Sequence, residues 1–281
     1  MDKKLAKIVA LLTVTVLLVA PTLVQAFNPA THIYIAERVF DGCKEKIDLF
    51  YGSIAPDLVF SVANPEEKWR TAKQDTHYEF KDFRPYAWGS TQKAFAKGWL
   101  THNEEWGADY YAHIFDPTPT YLGEDGYVVN RANLLSSDYG IDVDFAHYAI
   151  EVAIDLLLKG ADPKLADKLI IANLLRSWQD RNLMVRVLVW KYNRTDWLTL
   201  AAAELTFRDL VGRYAWALSL PYPWDRIALV QLGMQLAQEL YGIDASFGEV
   251  WQILEAAIGL CEGDYKGAID SAIKGIQDKL N

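Results

Sequence analysis

The chain contains five histidines, and all of them lie between residues 32 and 147. Each has a carboxylate or a hydroxyl group nearby in sequence. The imidazoles and acidic residues together form one candidate ligand set: His32, Asp57, His77, His102, Asp109, His113, His147 and Glu151. Imidazole nitrogens and carboxylate oxygens are the ligands that Zn²⁺ takes when cysteine is not used. We therefore expect a site for several zinc ions. Scattered, individually unimportant histidines are the alternative, which the helical spacing of the set disfavours.

The motif H-Y-A-I-E carries the simplest of these spacings. His147 and Glu151 stand four residues apart, so on a helix both project from one face, about 40° apart around the axis. Such a pair could bind one metal ion. Without other ligands, the better interpretation would be a hydrogen-bonded pair on a helix surface.

A second set follows in the stretch G-W-L-T-H-N-E-E-W-G-A-D-Y-Y-A-H. His102, Asp109 and His113 stand at i, i+7 and i+11, which on a continuous ideal helix falls within about 20° of a single stripe. A stripe of this kind that faces an apolar interior is costly unless something binds to it. A metal ion is the simplest such ligand, and Glu105, near the same stripe, is a reserve metal ligand. Gly107 is the point at which this helix could be interrupted.

The N-terminal residues predict a cleaved secretory signal. Three lysines at positions 3, 4 and 7 precede an apolar run over residues 8–20, which is too short for a comfortable transmembrane span. Val24 and Ala26 are the small residues that favour cleavage after Ala26. We therefore expect a signal peptide over residues 1–26 and a secreted or extracytoplasmic protein. An uncleaved membrane anchor is the alternative.

Cleavage there would make Phe27 the mature N-terminus, five residues before His32. A free α-amino group has a pKa of about 8 and can lose its proton to a metal ion. Phe27 could then bind zinc through its amine and its carbonyl oxygen, with His32 one helical turn away. Asp57 and His77 are not specific by themselves, because an aspartate that follows a proline is most often a turn or capping residue.

The overall composition limits the class of ligand. The chain carries a net charge of −9, which argues against a surface for polyanions, so no stable nucleic-acid partner is expected. A zinc site for a single phosphate is still compatible with this charge, because the metal ions would dominate the local field. Ten tryptophans and fifteen tyrosines belong mostly in the core, and an exposed set could serve a membrane interface or a lipid pocket. Cys43 and Cys261 could pair after export.

Helical periodicity prevails after the signal, and no segment alternates convincingly enough to be a strand, so the predicted class is all-α. Helices are expected at residues 31–40, 92–113, 144–159, 165–178, 182–192, 197–218, 224–241, 247–257 and 265–280. Residues 64–75 and 116–139 are expected to be loops because of their polar, proline and glycine content. We predict a catalytic core over residues 27–160 and a C-terminal helical region over 161–281 that packs on it.

The order of these motifs resembles a known family. The segments F-N-P-A-T-H, S-I-A-P-D, T-H-Y-E-F, G-W-L-T-H with A-D-Y-Y-A-H, and H-Y-A-I-E are similar to those of the zinc-dependent phospholipase C family, within the phospholipase C/P1 nuclease-like superfamily. They span Phe27 to Glu151, which is less than half of the chain. The resemblance implies a multi-helix bundle with about three zinc ions in a cleft, extra C-terminal helices, and hydrolysis of phosphate esters.

The resemblance also implies three metal sites. One zinc ion would be held by Asp57, His77, His102 and Asp109, a second by His113, His147 and Glu151, and a third by the amine and carbonyl oxygen of Phe27, by His32 and by Asp109. In this arrangement Asp109 bridges two ions. Asp57 would also serve as the general base toward the attacking water.

Two departures from the family pattern matter. Many relatives have tryptophan at the mature N-terminus where this chain has Phe27, a difference that is harmless if only backbone atoms bind. Relatives commonly space the central motif as H-x-x-x-D, whereas Asp109 follows His102 by seven residues. The insertion around residues 104–107 keeps the helical stripe but could bend the helix.

Three functions are compatible with these observations. The first is an exported phosphodiesterase that hydrolyses phospholipids at a membrane surface in the manner of a phospholipase C, with zinc-activated water. The second is a P1-like single-strand nuclease or 3′-nucleotidase, although the acidic chain shows no basic patch with interleaved aromatics. The third is a non-catalytic, zinc-stabilised envelope binding protein, in which residues 163–281 carry the interaction. It is disfavoured because a structural zinc site usually closes with four ligands.

Overall fold

The computed structural model of the chain describes residues 28–61, 67–118, 125–242 and 244–281. Within these ranges every regular element is helical and no strand occurs, which confirms the all-α prediction. The predicted signal peptide over residues 1–26 and the proposed ligand Phe27 lie outside the described residues.

Thirteen α-helices make up the described part of the chain, and they are numbered here in chain order. Their bounds are α1 (Pro29–Val39), α2 (Lys46–Ile54), α3 (Glu67–Lys73), α4 (Gly89–Leu100), α5 (Ala108–His113), α6 (Tyr127–Tyr139), α7 (Val143–Ala161), α8 (Leu165–Leu175), α9 (Trp178–Met184), α10 (Trp197–Ser219), α11 (Trp224–Tyr241), α12 (Phe247–Cys261) and α13 (Tyr265–Leu280). Four shorter turns adopt 3₁₀ or π geometry: Ala55–Ser61 and Arg84–Tyr86 are 3₁₀, and Gln74–Tyr78 and Val185–Lys191 are π.

Side-chain caps define several of these helices. Ser177 and Asp180 form a reciprocal capping box at the start of α9, and Ser246 and Glu249 form another at α12. Each box satisfies backbone amides that have no partner inside the helix. At the other end of a helix, Gly140 follows α6 in the left-handed conformation with φ of 64°, which a residue without a side chain adopts at little cost.

Helices α2 and α4 pack closely, because glycines let their backbones touch. A Cβ atom built on Gly98 would lie 2.0 Å from the carbonyl oxygen of Leu49, and one built on Gly52 would lie 2.1 Å from the carbonyl oxygen of Phe95. Side chains at either position would force the helices apart. The contact brings the end of α2, with the Ala55–Ser61 turn that follows it, beside the end of α4.

The C-terminal helices pack against the same core. Helix α12 lies against α7, α13 against α1, and α10 against both α8 and the Ala55–Ser61 turn. Polar side chains join these layers: the Tyr51 hydroxyl donates to Glu204 at 3.0 Å, and Arg131 of α6 pairs with Asp264 at 2.5 Å. The helices of residues 161–281 therefore contribute packing to the elements that carry the histidines.

Two expected loops contain helices. Within the predicted loop 64–75, residues 67–73 form α3, and within the predicted loop 116–139, α6 spans residues 127–139. Helix α6 buries Tyr127, Val128, Ala132 and Leu135 against neighbouring helices. Burial of this apolar side outweighs the weak helical propensity of the asparagines and serines around it.

Membrane-spanning helices and a disulfide are two further features that the sequence raised. No helix within the described ranges is long and apolar enough to cross a lipid bilayer. Cys43, which is partly buried, and Cys261, which is fully buried, are both free thiols. The disulfide that export would permit between them is therefore not formed in this structure.

Candidate metal centre

Asp57 lies at the centre of a buried polar cluster. The Ala55–Ser61 turn directs its fully buried carboxylate toward two imidazoles, with Oδ1 at 3.1 Å from Nε2 of His102 and at 3.4 Å from Nε2 of His77. Its other oxygen, Oδ2, accepts no hydrogen bond from the described residues. One oxygen of Asp57 thus faces two histidines from different elements, and the second oxygen is available to another ligand.

The rings of His102 and His77 are both oriented through Nδ1. Nδ1 of His102 lies 2.8 Å from the carbonyl oxygen of Ser53, so this nitrogen carries the proton and donates it. Nδ1 of His77 lies 2.6 Å from Oγ1 of Thr76, and the Thr76 hydroxyl itself donates to the carbonyl oxygen of Lys73. The Thr76 oxygen therefore accepts from His77. In each ring Nε2 is left as the nitrogen that faces the carboxylates.

This orientation is the one that metal-binding histidines adopt. A ligating imidazole usually donates its second N–H to a carbonyl or another acceptor, which fixes the tautomer and the direction of the free nitrogen. Burial lowers the pKa of His77 and favours its neutral ring, whose Nε2 lone pair would point at the Asp57 carboxylate. That arrangement is repulsive unless a cation lies between them. The geometry therefore fits a bound metal ion.

Asp109 and His32 complete this part of the centre. Oδ2 of Asp109 lies 3.3 Å from Nε2 of His102, and its Oδ1 lies 3.6 Å from Nε2 of His32. The rings of His32 and His102 are stacked, with centroids 4.0 Å apart. Ligand atoms converge in two overlapping groups, His32–Asp57–His102 and His77–His102–Asp109, and within each group they lie within 4.8 Å of one another.

A second set of side chains lies on α5 and α7. Nε2 of His147 is 3.1 Å from Oε1 of Glu151, as the four-residue spacing predicts, and the ring of His113 approaches that of His147 with centroids 5.2 Å apart. Nδ1 of His113 lies 3.0 Å from Oε1 of Glu104. The structure thus brings His113, His147 and Glu151 together, and it adds Glu104, which the sequence interpretation missed.

The predicted single helix over residues 92–113 is wrong, because the chain turns between α4 and α5. The turn closes through hydrogen bonds from the amide of Ala108 to the carbonyl of Thr101, at 2.8 Å, and from the amide of Asp109 to the carbonyl of His102, at 3.0 Å. A Cβ atom on Gly107 would lie 2.5 Å from the carbonyl oxygen of Asn103, so the turn requires glycine there. The stripe on one helix is replaced by a turn that directs Asp109 back toward His102.

This turn also decides between two neighbouring glutamates. Glu105, the reserve ligand, is exposed and accepts a hydrogen bond from the amide of Phe80 at 3.1 Å, away from the histidines. Glu104 points inward to His113 instead. The assumption of a continuous helix favoured Glu105 as the ligand. In the structure the Asn103 side chain accepts from the amides of Glu105 and Trp106 and stabilises a turn. The side chains of Glu104 and Glu105 leave this turn in different directions.

Burial and charge act against each other on the ionisable groups. Burial lowers the pKa of His102, but the Asp109 and Asp57 carboxylates outweigh it and raise that pKa to about 9. Burial raises the pKa of Asp57, yet the opposing charge of His102 holds it below its ordinary value. Burial raises the pKa of Glu151 to about 7 and that of Asp109 well above its usual range. Burial away from water therefore favours the protonated forms of Asp109 and Glu151, whereas His102 keeps Asp57 ionised.

Several buried carboxylate oxygens of this cluster have no hydrogen-bond donor in the described part of the chain, which bears on whether a cation fits there. Among the described residues, no donor is hydrogen-bonded to Oδ2 of Asp57, to either oxygen of Asp109, or to Oε2 of Glu151. Buried acceptors without donors are costly, and carboxylates in low dielectric need a positive partner. A metal ion would satisfy these oxygens and the Nε2 nitrogens together, so the donor set fits a metal centre.

Comparison of this chain with protein-family models, with curated proteins and with solved structures finds no match. The side chains of the cluster and their geometry are therefore the basis for a functional assignment. The structure shows buried His and Asp groups that could hold a metal ion, in an all-helical protein.

Proposed function

We propose that this chain is an exported zinc-dependent phosphodiesterase that hydrolyses phospholipids in the manner of a phospholipase C, with about three zinc ions. The main support is that Asp109 lies between the two buried ligand groups, with Oδ1 toward His32 and Oδ2 toward His102. A carboxylate can bind two neighbouring metal ions through its two oxygens, whereas a structural zinc ion is usually enclosed by four ligands of its own. Neighbouring ions stabilise the attacking and leaving oxygens of phosphate esters.

The ligand chemistry supports zinc over calcium and magnesium. Calcium and magnesium prefer sites built from oxygen ligands, but this cluster contains more imidazole nitrogens than carboxylates in each of the groups His32–Asp57–His102 and His77–His102–Asp109. Nitrogen with some carboxylate oxygen is a usual ligand set for zinc. The second set, His113, His147 and Glu151, has the same composition and would hold a further ion.

The protein side chains have separable roles in this proposal. Zinc, when bound, supplies charge to phosphoryl oxygens and lowers the pKa of a coordinated water. Ser53 and Thr76 orient the rings of His102 and His77, so that Nε2 of each faces the ions. Asp57 would be a ligand of the ions through its buried carboxylate, and the family resemblance implies that it also accepts a proton from the attacking water. The amine of Phe27, with His32 and Asp109, would form the third site.

The choice of a phospholipid over a nucleic acid rests on charge and on the family resemblance. The net charge of −9 disfavours a nucleic-acid backbone, which needs several cationic contacts. One exposed aromatic, Tyr78, lies beside the ligands with its ring 6.5 Å from that of His77, where an acyl chain or glycerol could contact it.

Metal analysis combined with a turnover panel tests the proposal. The panel contains phosphatidylcholine, phosphatidylinositol, single-stranded DNA and a 3′-nucleotide. We expect about three zinc ions per chain and turnover of a phospholipid. Asp109→Asn should lose most of that turnover, because Asp109 contacts both His32 and His102. Glu105→Gln is the matched control, since Glu105 is exposed and directed away from the histidines.

Each alternative gives a different result in this panel. One tightly held metal ion, or none, contradicts the multi-zinc centre. Turnover of DNA or of the 3′-nucleotide without turnover of lipid indicates the nuclease function instead. Zinc without turnover of any substrate indicates a metal-stabilised binding protein. Equal losses in Asp109→Asn and Glu105→Gln would contradict the role given to Asp109.

A further inference from the structure

Helices α8 and α10 expose several large apolar side chains. On α10, Leu198, Leu205 and Trp216 stand seven and eleven residues apart, which keeps them within about 20° of one line along the helix. Each is at least 60% exposed. On α8, Ile171, Leu174 and Leu175 are also exposed. We call these six residues the α8–α10 face.

The two helices lie side by side. Nδ2 of Asn173 donates to the carbonyl oxygen of Arg208 at 2.9 Å, and Nη2 of Arg208 donates to the carbonyl oxygen of Asn173 at 2.7 Å. Leu174, Leu205 and Trp216 line a single open groove between the helices. An apolar surface of this kind on a protein usually marks a place where something binds.

Exposed aromatic residues flank this face along the chain. Five of the ten tryptophans lie between residues 178 and 224, and each is more than half exposed: Trp178, Trp190, Trp197, Trp216 and Trp224. Tyr222 is exposed as well. In contrast, Trp99 in α4 is completely buried. Tryptophan and tyrosine combine an apolar ring with a polar group, which suits them to the boundary between water and lipid.

The charge of the same segment differs from that of the rest of the protein. Residues 171–224 contain seven Lys and Arg against four Asp and Glu, whereas the whole chain contains 28 against 37. Two of the four acidic residues, Asp180 and Glu204, are buried. Arg208, Arg213 and Asp209 line the groove beside the apolar residues, and Arg213 pairs with Asp209 at 2.9 Å. The groove therefore carries one positive charge in excess, on a protein that is acidic as a whole.

We propose that the α8–α10 face binds the surface of a lipid bilayer that contains anionic headgroups. The leucines would enter the boundary between headgroups and acyl chains, the tryptophans would lie at headgroup level, and the arginines would approach lipid phosphates. A second copy of the chain fits less well, because a symmetric contact brings the same basic residues against each other. The inference does not depend on the metal centre, since no proposed ligand lies on α8 or α10.

Binding to vesicles tests this assignment. Full-length protein is sedimented with vesicles of phosphatidylcholine alone and with vesicles of phosphatidylcholine and phosphatidylserine, at low and high salt. We expect binding to the anionic vesicles that weakens with salt. The double variant Leu205→Gln, Trp216→Gln should reduce the bound fraction at least tenfold. Tyr139→Gln, which alters an exposed aromatic residue at the end of α6, is the matched control and should bind like the unmodified protein.

Further measurements separate the other outcomes. Circular dichroism checks that the double variant is folded, and Leu205→Gln alone provides a second, milder variant. Residues 1–27 are identical in all proteins compared, so their own affinity for lipid cannot produce a difference. Equal binding by the double variant, or no binding by the unmodified protein, overturns the proposal. A dimer that the double variant abolishes identifies a second copy as the occupant. Vesicle binding with no lipid turnover would contradict the proposed function while supporting this inference.

Discussion

The carboxylate of Asp155 in α7 accepts hydrogen bonds from both the backbone amide and the hydroxyl of Thr31, at 2.8 and 2.5 Å. The amide of Ala30 and the hydroxyl of Tyr214 donate to its other oxygen, at 3.3 and 2.8 Å. A buried negative group thus caps the first turn of α1, where free amides favour an anion. Because His32 follows directly, Asp155 positions this ligand relative to α7, which carries Glu151 one turn earlier.

The pH dependence of stability should reveal this carboxylate. Burial raises the pKa of Asp155 from 3.8 to about 6, even though its hydrogen bonds act in the opposite direction. The folded protein therefore keeps a proton that the unfolded chain loses near pH 4, so the contribution of Asp155 to stability is full below about pH 4 and is lost as the pH rises through about 6. We expect the free energy of unfolding to fall over this interval by about 1–3 kcal/mol relative to Asp155→Asn.

Urea unfolding of both proteins at several pH values between 4 and 7 measures this difference. The asparagine side chain of the variant cannot lose a proton in this range but still offers an oxygen to Thr31. A difference between the two proteins that stays constant with pH would show that Asp155 is charged throughout.

The contact between α2 and α4 gives a second prediction. Gly98→Ala adds a Cβ atom 2.0 Å from the carbonyl oxygen of Leu49 and 2.7 Å from the amide nitrogen of Ser53, and backbone atoms cannot move aside like a flexible side chain. We expect a loss of stability of about 3 kcal/mol or more. Zinc content should also fall, because the Ser53 carbonyl that orients His102 would be displaced. Thermal unfolding and elemental analysis measure the two effects.

A matched control is available in α7. A Cβ atom on Gly160 meets nothing within 4 Å, so Gly160→Ala should be neutral or slightly stabilising. Full stability and full zinc content in Gly98→Ala would contradict the close approach of the two helices.

The third prediction concerns Glu104, which orients His113. Glu104→Gln removes the charge next to Nδ1 of His113, and we expect zinc affinity at the second site to fall about 10- to 100-fold. Glu105→Gln should leave the affinity unchanged, because its carboxylate accepts from the amide of Phe80 instead. Competition with a chelator measures the affinity of each variant. The opposite ranking of the two glutamates would mean that the turn between α4 and α5 has another geometry.

Much of the fold could be predicted from the sequence because its helices bury long apolar stripes. The pattern after residue 143 predicted most of the helices to within a few residues, and α7 carries a regular apolar side that includes its buried His147–Glu151 pair. Helix α9 is the exception, because it begins four residues before the predicted start and continues as the π turn Val185–Lys191. Helix α6 was missed because its buried side includes the polar residues Asn130 and Arg131. Contacts with α7 and α12 stabilise it, and these contacts cannot be inferred from local sequence.

The candidate site was predicted in its residue types but not in its geometry. His102 and Asp109 do meet, yet through a turn closed by Asn103 and Gly107 rather than along one helix. The spacing of the residues was compatible with both arrangements. Ser53 and Thr76 could not be identified from spacing, because carbonyl and hydroxyl groups are common along the chain and only tertiary packing shows which one contacts a histidine.

The last prediction concerns the N-terminus that signal cleavage would create. If Phe27 supplies its α-amine to zinc, a residue placed before it converts that amine into an amide, which is a far poorer ligand at neutral pH. An extension by one methionine should therefore lower zinc content and slow phosphodiester hydrolysis.

Phe27→Trp in the mature protein is the matched control and should be nearly silent, because only backbone atoms are proposed to bind. Zinc content and hydrolysis rate are compared for mature protein, for the variant and for the extended protein. Loss of a ligand that binds through two atoms should be large, since the third site has few others. If the extended protein keeps all of its zinc and its full rate, the amino terminus is not a ligand, and His32 with Asp109 must hold the ion in another way.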